Sequence, residues 1–186
     1  MKRNVVLIGF MGTGKTSTGR LLASRLGWSF VDVDHKIKKE AGMPVTEIFA
    51  RYGEEGFRLR ERETIARVAR YRRAVISTGG GVVLNPDNVA RLRQNGVVVC
   101  LTASKAVILE RTGRRNTRPL LAGPDRAEVV DRLLAERAGL YAAAAHYTVD
   151  TSELSPRQTV ERIVAFLRRE GHFHGRGKSE FAQQGV

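Results

Sequence analysis

The sequence predicts an α/β protein in which helices cover both faces of a parallel β-sheet. Short apolar runs rich in β-branched residues recur along the chain, and longer segments with a helical spacing of apolar residues separate them. Because parallel strands need a crossover, which is usually a helix, this alternation predicts a three-layer α/β/α sandwich with right-handed connections. The length of 186 residues fits one domain, since domains typically span ~100–200 residues.

The predicted strands are the apolar runs at 5–8, 30–33, 74–76, 97–101 and 147–149. The predicted helices are the amphipathic segments at roughly 15–26, 45–52, 54–71, 86–94, 104–111, 126–143 and 156–169. Gly27 ends the first of these helices, as a glycine after a helix commonly does.

Two segments interrupt the alternation. Residues 111–125 combine glycine, proline and four arginines without a sustained period, which is typical of a loop over a site, and we expect a mobile lid at about 112–125. Residues 171–186 include four glycines and almost no apolar pattern. We therefore expect a single domain over 1–170 and a disordered tail over 171–186.

The composition is strongly basic. Lys and Arg number 32 against 19 Asp and Glu, and the net charge of +13 favours phosphates, other polyanions or acidic metabolites. The arginines are scattered and only 6% of residues are aromatic, so we expect no specific nucleic-acid partner. No apolar stretch approaches the ~20 residues of a membrane helix, and the amino terminus lacks a signal peptide's apolar segment. We expect a cytoplasmic protein that does not engage a membrane.

Cys100 is the only cysteine in the sequence. A single cysteine excludes an internal disulfide and a cysteine-based zinc site. Because Cys100 lies in the apolar run 97–101, we expect a buried strand position for it.

Residues 9–16, Gly-Phe-Met-Gly-Thr-Gly-Lys-Thr, fit the pattern G-x-x-x-x-G-K-[ST] and stand between the first predicted strand and a predicted helix, as the phosphate-binding P-loop requires. The glycines let the backbone turn its N–H groups toward one point, where the helix adds its positive dipole end. Lys15 is expected to reach the β- and γ-phosphates, and the Thr16 hydroxyl to coordinate Mg²⁺. The residues assigned to nucleotide binding here are Gly12, Thr13, Gly14, Lys15, Thr16 and Ser17.

The motif indicates nucleotide binding but not the reaction, so the acceptor side decides the function. Asp32 and Asp34 are two residues apart at the carboxyl end of the second predicted strand and are expected on one face. One carboxylate could hold waters around Mg²⁺ and the other could accept a hydroxyl proton. The same pair is equally typical of a helix cap or a solvated turn.

Two further patterns fit an acceptor site. Gly79-Gly80-Gly81 follows the third predicted strand and would let the main chain approach a ligand, although a plain turn is the alternative. Arg58 and Glu61 are three apart and share a helix face, where the carboxylate could orient a guanidinium toward an anionic acceptor. The spacing of this pair, like the context of Arg137, also fits an ordinary surface position.

Taken in this order, the motifs resemble the shikimate kinase family over about residues 5–167. Besides the segments above, the resemblance rests on Ile48-Phe49, Gly53-Glu54, Phe57, Arg111-Thr112, Arg118-Pro119-Leu120-Leu121, and Arg137 followed by Tyr141. It implies a P-loop fold of the nucleoside-monophosphate-kinase type with strand order 2-3-1-4-5. It also implies transfer of the γ-phosphoryl group of ATP to the 3-hydroxyl of shikimate, on the route to chorismate and aromatic amino acids. We expect a monomer, with ATP as co-substrate, Mg²⁺, and shikimate as the small-molecule partner.

The resemblance implies the following residue roles. Asp34 would bind the acceptor hydroxyls and is the candidate base, and Lys15 and Arg118 complete the predicted catalytic set. Arg58 and Arg137 would hold the shikimate carboxylate. The remaining predicted acceptor-site residues are Glu61, Gly79, Gly80 and Gly81.

On the nucleotide side, the resemblance implies that Arg118 lies on a loop that closes over ATP and that Arg111 flanks the adenine. The third predicted strand ends in Ser77-Thr78 instead of the aspartate of a standard Walker B motif. Support for Mg²⁺ would therefore come from Asp32 through water.

Two alternatives stay open at the level of sequence. Another small-molecule P-loop kinase, of the gluconate or nucleotide type, would share the cradle and lid but not the paired Arg58 and Arg137. A nucleic-acid-binding P-loop protein would use the +13 charge, and its affinity would fall steeply with salt.

Overall fold

The computed structural model of the protein describes residues 4–113 and 125–172. Within these ranges, five strands form one sheet in the order β2-β3-β1-β4-β5, and every neighbouring pair is parallel. The strands are β1 Asn4–Ile8, β2 Ser29–Asp32, β3 Ala74–Ser77, β4 Gly96–Thr102 and β5 Tyr147–Asp150. The predicted α/β class and strand order are confirmed.

Seven α-helices lie in the same described ranges. They are α1 Lys15–Leu26, α2 Val33–Ala41, α3 Val45–Val68, α4 Pro86–Asn95, α5 Lys105–Gly113, α6 Arg126–Ala144 and α7 Pro156–Arg169. A short 3₁₀ helix at Val82–Leu84 precedes α4. Of the predicted lid and tail, residues 114–124, with Arg118, and residues 173–186 lie outside the described ranges.

Helix α2 differs from the sequence prediction, which ended a strand at residue 33 and placed no helix directly after it. The side chain of Asp32 caps this helix by accepting a hydrogen bond from the His35 backbone N–H at 3.1 Å. Only Val33 and Ile37 of α2 are buried, one turn apart. A helix with so narrow an apolar face in a charged segment leaves little periodicity for a sequence pattern to detect.

Helix α3 joins the two helices predicted at 45–52 and 54–71. The predicted break is confirmed as a kink, because Gly53 adopts non-helical angles of φ 65° and ψ −175° inside the element. The helix ends at Val68, three residues earlier than predicted.

The apolar core lies on both faces of the sheet, because successive residues of a strand point to opposite sides. Val6, Ile8 and Cys100 pack on one side with residues of α2 to α6, and Val5 and Leu7 pack on the other with residues of α1 and α7. Cys100 is 1% exposed, so its predicted burial is confirmed. These layers give the predicted three-layer sandwich.

The chain segments that follow β1, β2 and β3 lie at the same edge of the sheet. The connections after β1, β2 and β3 all leave from the carboxyl ends of adjacent parallel strands, where ligands bind in open α/β sheets. The P-loop, the two aspartates and the glycine segment Gly79–Gly81 therefore meet. Over the described ranges, no helix has the length and apolar character needed to cross a membrane.

Candidate active site

The P-loop has a backbone that only glycine accommodates easily. Gly9, Gly12 and Gly14 have φ angles of 134°, 82° and 90°, which L side chains rarely adopt. A Cβ on Gly12 would come within 2.9 Å of the Thr112 methyl group in α5. The loop is therefore both strained for other residues and closely packed against the neighbouring helix.

Lys15 begins α1 and is 8% exposed. Its Nζ donates hydrogen bonds to the carbonyl oxygens of Gly9 and Phe10, both at 2.8 Å. The loop thus curls around the lysine and holds its charge at the helix N-terminus, where the dipole also favours anions.

The other predicted nucleotide residues of the loop use their side chains in different ways. Thr13 is buried and its hydroxyl donates to the Phe10 carbonyl at 2.7 Å, so its side chain shapes the loop. The Ser17 hydroxyl donates to the Gly14 carbonyl at 3.0 Å. The Thr16 hydroxyl is exposed and donates to Oδ2 of Asp32 at 2.9 Å. Of these three hydroxyls, only that of Thr16 is directed at an acidic group.

Asp32 caps α2, which was one of the alternatives for this residue, and both of its carboxylate oxygens accept hydrogen bonds. One oxygen accepts the cap hydrogen bond from His35, and the other accepts from Thr16 of the P-loop. The last residue of β2 is therefore a helix cap that also contacts the P-loop, and its role toward Mg²⁺ stays a prediction.

Asp34 lies in the first turn of α2, so the prediction that it shares a strand face with Asp32 is wrong. The cap at Asp32 turns the chain into a helix before residue 34 is reached. The helix still brings Asp34 to the site, because a Cβ on Gly79 would lie 2.8 Å from its Oδ1. The same Cβ would lie 3.0 Å from Oε1 of Glu61, so Gly79 is packed between two carboxylates.

A cleft of about 680 Å³ joins the P-loop to both aspartates and to the glycine segment. Its lining residues are Gly12, Gly14, Lys15, Thr16, Ser17, Arg20, Asp32, Asp34, Val45, Ser77, Thr78, Gly79, Gly80, Glu110, Arg111 and Thr112. Arg20 lies one helical turn after Thr16, with its guanidinium 5.0 Å from the centre of the Phe30 ring. Arg20, Val45 and Glu110 lie outside the sequence motifs described above, so no local pattern predicted them at this cleft.

Arg58 and Glu61 form a partly buried ion pair instead of a surface pair. Nη1 of Arg58 donates to Oε2 of Glu61 at 2.8 Å, and Glu61 is 0% exposed. Glu54 accepts from Nη2 of Arg58 at 2.9 Å and from its Nε at 3.2 Å. Burial lowers the pKa of Arg58, but Glu61 and Glu54 together raise it by more, so the guanidinium stays charged.

Glu61 is surrounded by three charged side chains, those of Arg58, Asp34 and Arg137. Burial raises its pKa above the ordinary value, and the attraction of Arg58 only partly offsets this effect. The nearby charge of Asp34 raises the pKa further, whereas that of Arg137 lowers it. Charges from α2, α3 and α6 therefore meet at this one carboxyl group.

Arg137 of α6 is 2% exposed, so the surface alternative is wrong for this residue as well. Its Nε and Nη1 atoms are buried and have no hydrogen-bond partner within the described part of the chain. Buried polar groups are normally paired, and a buried guanidinium with open donors is suited to an anion that enters the site.

Tyr141 contacts the wall of the cleft through Gly80, and no role was predicted for it from the sequence. Its hydroxyl donates to the Gly80 carbonyl at 2.5 Å, across 61 positions in sequence. The available signal was its position four residues after Arg137, which places both side chains on one face of α6.

Arg111 lies at the end of α5 and holds the outer wall of the P-loop. Its Nη1 donates to the Gly12 carbonyl at 3.3 Å, and its Nη2 donates to the Thr151 carbonyl at 2.8 Å. Its predicted place beside the adenine stays a prediction, as does the role of Arg118, which lies outside the described residues.

Comparisons with known proteins identify the family. A family model described as shikimate kinase matches residues 11–168. The shikimate kinase of Moorella thermoacetica is 51% identical over 168 residues, covering 90% of this chain and 96% of that protein. That of Thermodesulfovibrio yellowstonii is 48% identical over 167 residues, with the same two coverages of 90% and 96%.

The solved structure of a shikimate kinase from Acinetobacter baumannii, in complex with shikimate, superposes with a TM-score of 0.89. It is 36% identical in sequence, and the match covers 91% of this chain and 95% of that one. The family model, the curated relatives and the solved structure agree, and the chain belongs to the shikimate kinase family.

Proposed function

We propose that this ATP-dependent kinase transfers the γ-phosphoryl group of ATP to the 3-hydroxyl of shikimate. The products are shikimate 3-phosphate and ADP, on the route to chorismate and aromatic amino acids. The observation that carries the proposal is the glycine segment Gly79–Gly81. A Cβ on Gly79 would meet Asp34, and one on Gly81 would lie only 2.5 Å from Cζ of Arg58. The segment therefore joins a carboxylate beside the P-loop to a guanidinium suited to an acidic acceptor.

The donor side supports binding of a nucleoside triphosphate. The P-loop backbone and the N-terminus of α1 provide the anion site, and Lys15 supplies a positive charge within it. Phosphoryl transfer passes through a loose transition state whose charge spreads over the phosphate oxygens. Lys15, together with Arg118 as the resemblance implies, would stabilise that charge.

The residues at the mouth of the P-loop fit Mg²⁺, which prefers hard oxygen ligands. The Thr16 hydroxyl and the Asp32 carboxylate are 2.9 Å apart, so Thr16 could bind the ion directly and Asp32 through water. Among the described residues, no group of three or more His, Cys, Asp or Glu could form a metal site. Mg²⁺ usually keeps several waters and is bound through one or two carboxylates and the substrate phosphates. The ion would neutralise charge on the β- and γ-phosphates.

The acceptor side supports a small hydroxylated acid. Arg58 and Arg137 can hold a carboxylate with planar, charge-assisted hydrogen bonds, and Nε and Nη1 of Arg137 are buried donors that such an anion would pair. Gly80 offers main-chain contact at the wall of the cleft. A nucleoside monophosphate would instead bring a second phosphate, and gluconate would lack the ring.

In the proposed step, the acceptor oxygen forms a bond to the γ-phosphorus while the bond from that phosphorus to the bridging oxygen of ADP breaks. The hydroxyl proton passes to the carboxylate of Asp34. A general base of this kind typically contributes ~10²–10⁴-fold to the rate. Exclusion of water would limit hydrolysis of ATP, and closure of a lid at about 112–125 is our proposal for how this occurs.

Release of ADP tests the function directly. ADP is measured in Mg-ATP with and without shikimate, and with gluconate and nucleoside monophosphates as comparison acceptors. Strong stimulation by shikimate alone is expected. Turnover with another acceptor and none with shikimate would contradict the proposal while leaving the P-loop fold in place. The proposal includes a monomeric enzyme in the cytoplasm, and sedimentation of the purified protein tests the monomer.

A further inference from the structure

Tyr141 connects helix α6 to the glycine segment through one short hydrogen bond. Its hydroxyl donates to the Gly80 carbonyl at 2.5 Å, and its side chain is 6% exposed. A Cβ on Gly80 would lie 3.7 Å from this hydroxyl, so the tyrosine is in close contact with the segment. Arg137 lies four residues earlier on the same helix and is one of the two arginines proposed to bind the shikimate carboxylate.

The hydrogen bond determines how the next peptide unit is turned. The Gly80 carbonyl and the Gly81 N–H belong to one planar trans peptide, so they point in opposite directions. A donor that holds the carbonyl on the α6 side therefore holds the N–H on the other side. Glycine has no Cβ to restrict its dihedral angles, so an external contact of this kind is needed to keep one orientation.

The Gly80–Gly81 peptide lies against Arg58, the second arginine proposed to bind the shikimate carboxylate. A Cβ on Gly81 would overlap the Arg58 guanidinium, since it would lie 2.5 Å from both Cζ and Nη1. A rotation of the Gly80–Gly81 peptide would therefore disturb the packing of Arg58. Arg137 interacts with the Tyr141 hydroxyl, the hydroxyl bonds to Gly80, and Gly81 lies against Arg58. These contacts connect the two arginines that are proposed to bind the acceptor carboxylate.

The Tyr141 hydroxyl remains a donor over the working pH range. Burial raises its pKa well above the ordinary value, and the nearby Arg137 guanidinium offsets only part of that rise. The Tyr141 hydroxyl therefore stays protonated and continues to donate to the Gly80 carbonyl.

We propose that Tyr141 is a positioning residue for the acceptor: its hydrogen bond to Gly80 sets the glycine segment so that Arg58, Arg137 and the main chain bind one shikimate molecule together. The inference rests on the proposed function. It assigns Tyr141 to acceptor recognition and gives it no part in the binding of ATP.

The variant Tyr141→Phe removes the hydroxyl and keeps the ring. We expect KM for shikimate, and the Kd measured by calorimetry, to rise by about five- to tenfold, because the variant loses a buried hydroxyl that donates to Gly80 and interacts with Arg137. KM for ATP and kcat should stay within about twofold of wild type. The matched control is Tyr147→Phe. The ring of Tyr147 stacks on that of Phe166, with 4.3 Å between the ring centres, on the face of the sheet that α1 and α7 cover. That control should leave both KM values unchanged.

The thermal midpoint of each variant separates positioning from general stability. KM does not depend on the amount of active enzyme, so partial loss of folded Tyr141→Phe protein would not hide the result. An equal rise of KM for shikimate and ATP, or an unchanged KM for shikimate at any midpoint, would overturn the inference. With a lower midpoint, either result would leave Tyr141 a purely structural residue. Absence of shikimate turnover in the wild-type enzyme would overturn the proposed function itself, and this inference with it.

Discussion

The hydroxyl of Thr16 donates a hydrogen bond to Oδ2 of Asp32 at 2.9 Å, which ties the start of α1 to the end of β2. The other oxygen of Asp32 is occupied by the backbone N–H of His35. The orientation of the carboxylate is therefore set from both sides before any ion binds. This arrangement makes Asp32 suited to orient the shell of Mg²⁺ and unsuited to act as a mobile base.

The variant Asp32→Asn tests that role. Removing the charge should raise the Mg²⁺ concentration for half-maximal activity by ~10–100-fold, the usual effect of losing an outer-shell partner. KM for shikimate should change little. The measurement is ADP release over a titration of Mg²⁺ at saturating substrates. Asp87→Asn, an exposed position at the start of α4, is the control for the loss of one charge. An unchanged Mg²⁺ requirement would contradict the assignment.

Asp34→Asn tests the proposed base. We expect kcat to fall by ~10²–10⁴-fold, because the amide cannot accept the hydroxyl proton. ATP binding, measured by titration of the free enzyme, should be retained because Asp34 lies in α2 beside Gly79 and its proposed role concerns the acceptor hydroxyl. Near-normal turnover of the variant would end the base hypothesis.

Arg137→Ala tests the carboxylate site. The variant removes a buried guanidinium with open donors, and loss of a buried charged partner typically costs about 2–5 kcal/mol, so KM for shikimate should rise by at least ~30-fold. KM for ATP should rise far less. Arg132→Ala, at an exposed position of the same helix, is the matched control. Equal effects on both substrates would argue against a carboxylate-holding role.

Gly79→Ala tests the contact that carries the proposed function. The added Cβ would lie 2.8 Å from Asp34 and 3.0 Å from Glu61, so at least one carboxylate must move. We expect kcat/KM for shikimate to fall by at least ~10-fold, since a small misplacement of a reacting group costs rate steeply, with little change in ATP binding.

The matched control for that variant is Gly139→Ala in α6. A Cβ at Gly139 would have nothing within 4 Å, and alanine favours the helix. It should stabilise the fold by about 0.4–1 kcal/mol in urea unfolding and leave activity unchanged. If Gly79→Ala kept full activity, the packing between the two carboxylates would not matter for catalysis.

Glu61→Gln tests the raised pKa of Glu61 through stability. Because burial raises this pKa, the folded chain holds the proton more tightly than the unfolded chain does. The contribution to stability is complete below the ordinary value of 4.5 and is lost as the pH rises through the raised value. Glutamine does not titrate. The free energy of unfolding of the variant, relative to wild type, should therefore increase as the pH rises above 4.5.

Urea unfolding of both proteins from acid to neutral pH measures this difference. Arg58, Arg137 and Asp34 face the same carboxyl group and remain in both proteins. Glu55→Gln, at an exposed position on α3, is the control for loss of one carboxylate. A difference that falls with rising pH would mean that Arg58 outweighs burial at Glu61.

Much of the fold could be read from local patterns. The strand-forming runs, the P-loop between β1 and α1 and the break at Gly53 each depend on a few neighbouring residues. Backbone sterics and the periodicity of side chains act over the same short range, so such features can be recognised along the sequence. Helix α2 was not predicted, because its apolar face consists of only two buried residues, Val33 and Ile37.

The acceptor site could not be predicted from local patterns alone. Asp34, Arg58 and Arg137 were candidates from the family resemblance, but the spacing of Arg58 and Glu61 is the same on a solvated helix as in a buried cluster. Burial of Glu61 to 0% exposure follows from the packing of α3 against the segment after β3. The hydrogen bond from Tyr141 to Gly80 spans 61 positions, so the spacing of Tyr141 and Arg137 on α6 could not predict this partner.

The sequence by itself determined the α/β architecture, the phosphate cradle and, through the order of its motifs, the family. Only the tertiary structure decided which charges are buried, which carboxylate also caps a helix, and which tyrosine holds the glycine segment. The physical reason is that dihedral preferences and periodicity act between near neighbours. Burial, ion pairing and hydrogen bonding across elements depend instead on how strands and helices far apart in the chain pack together.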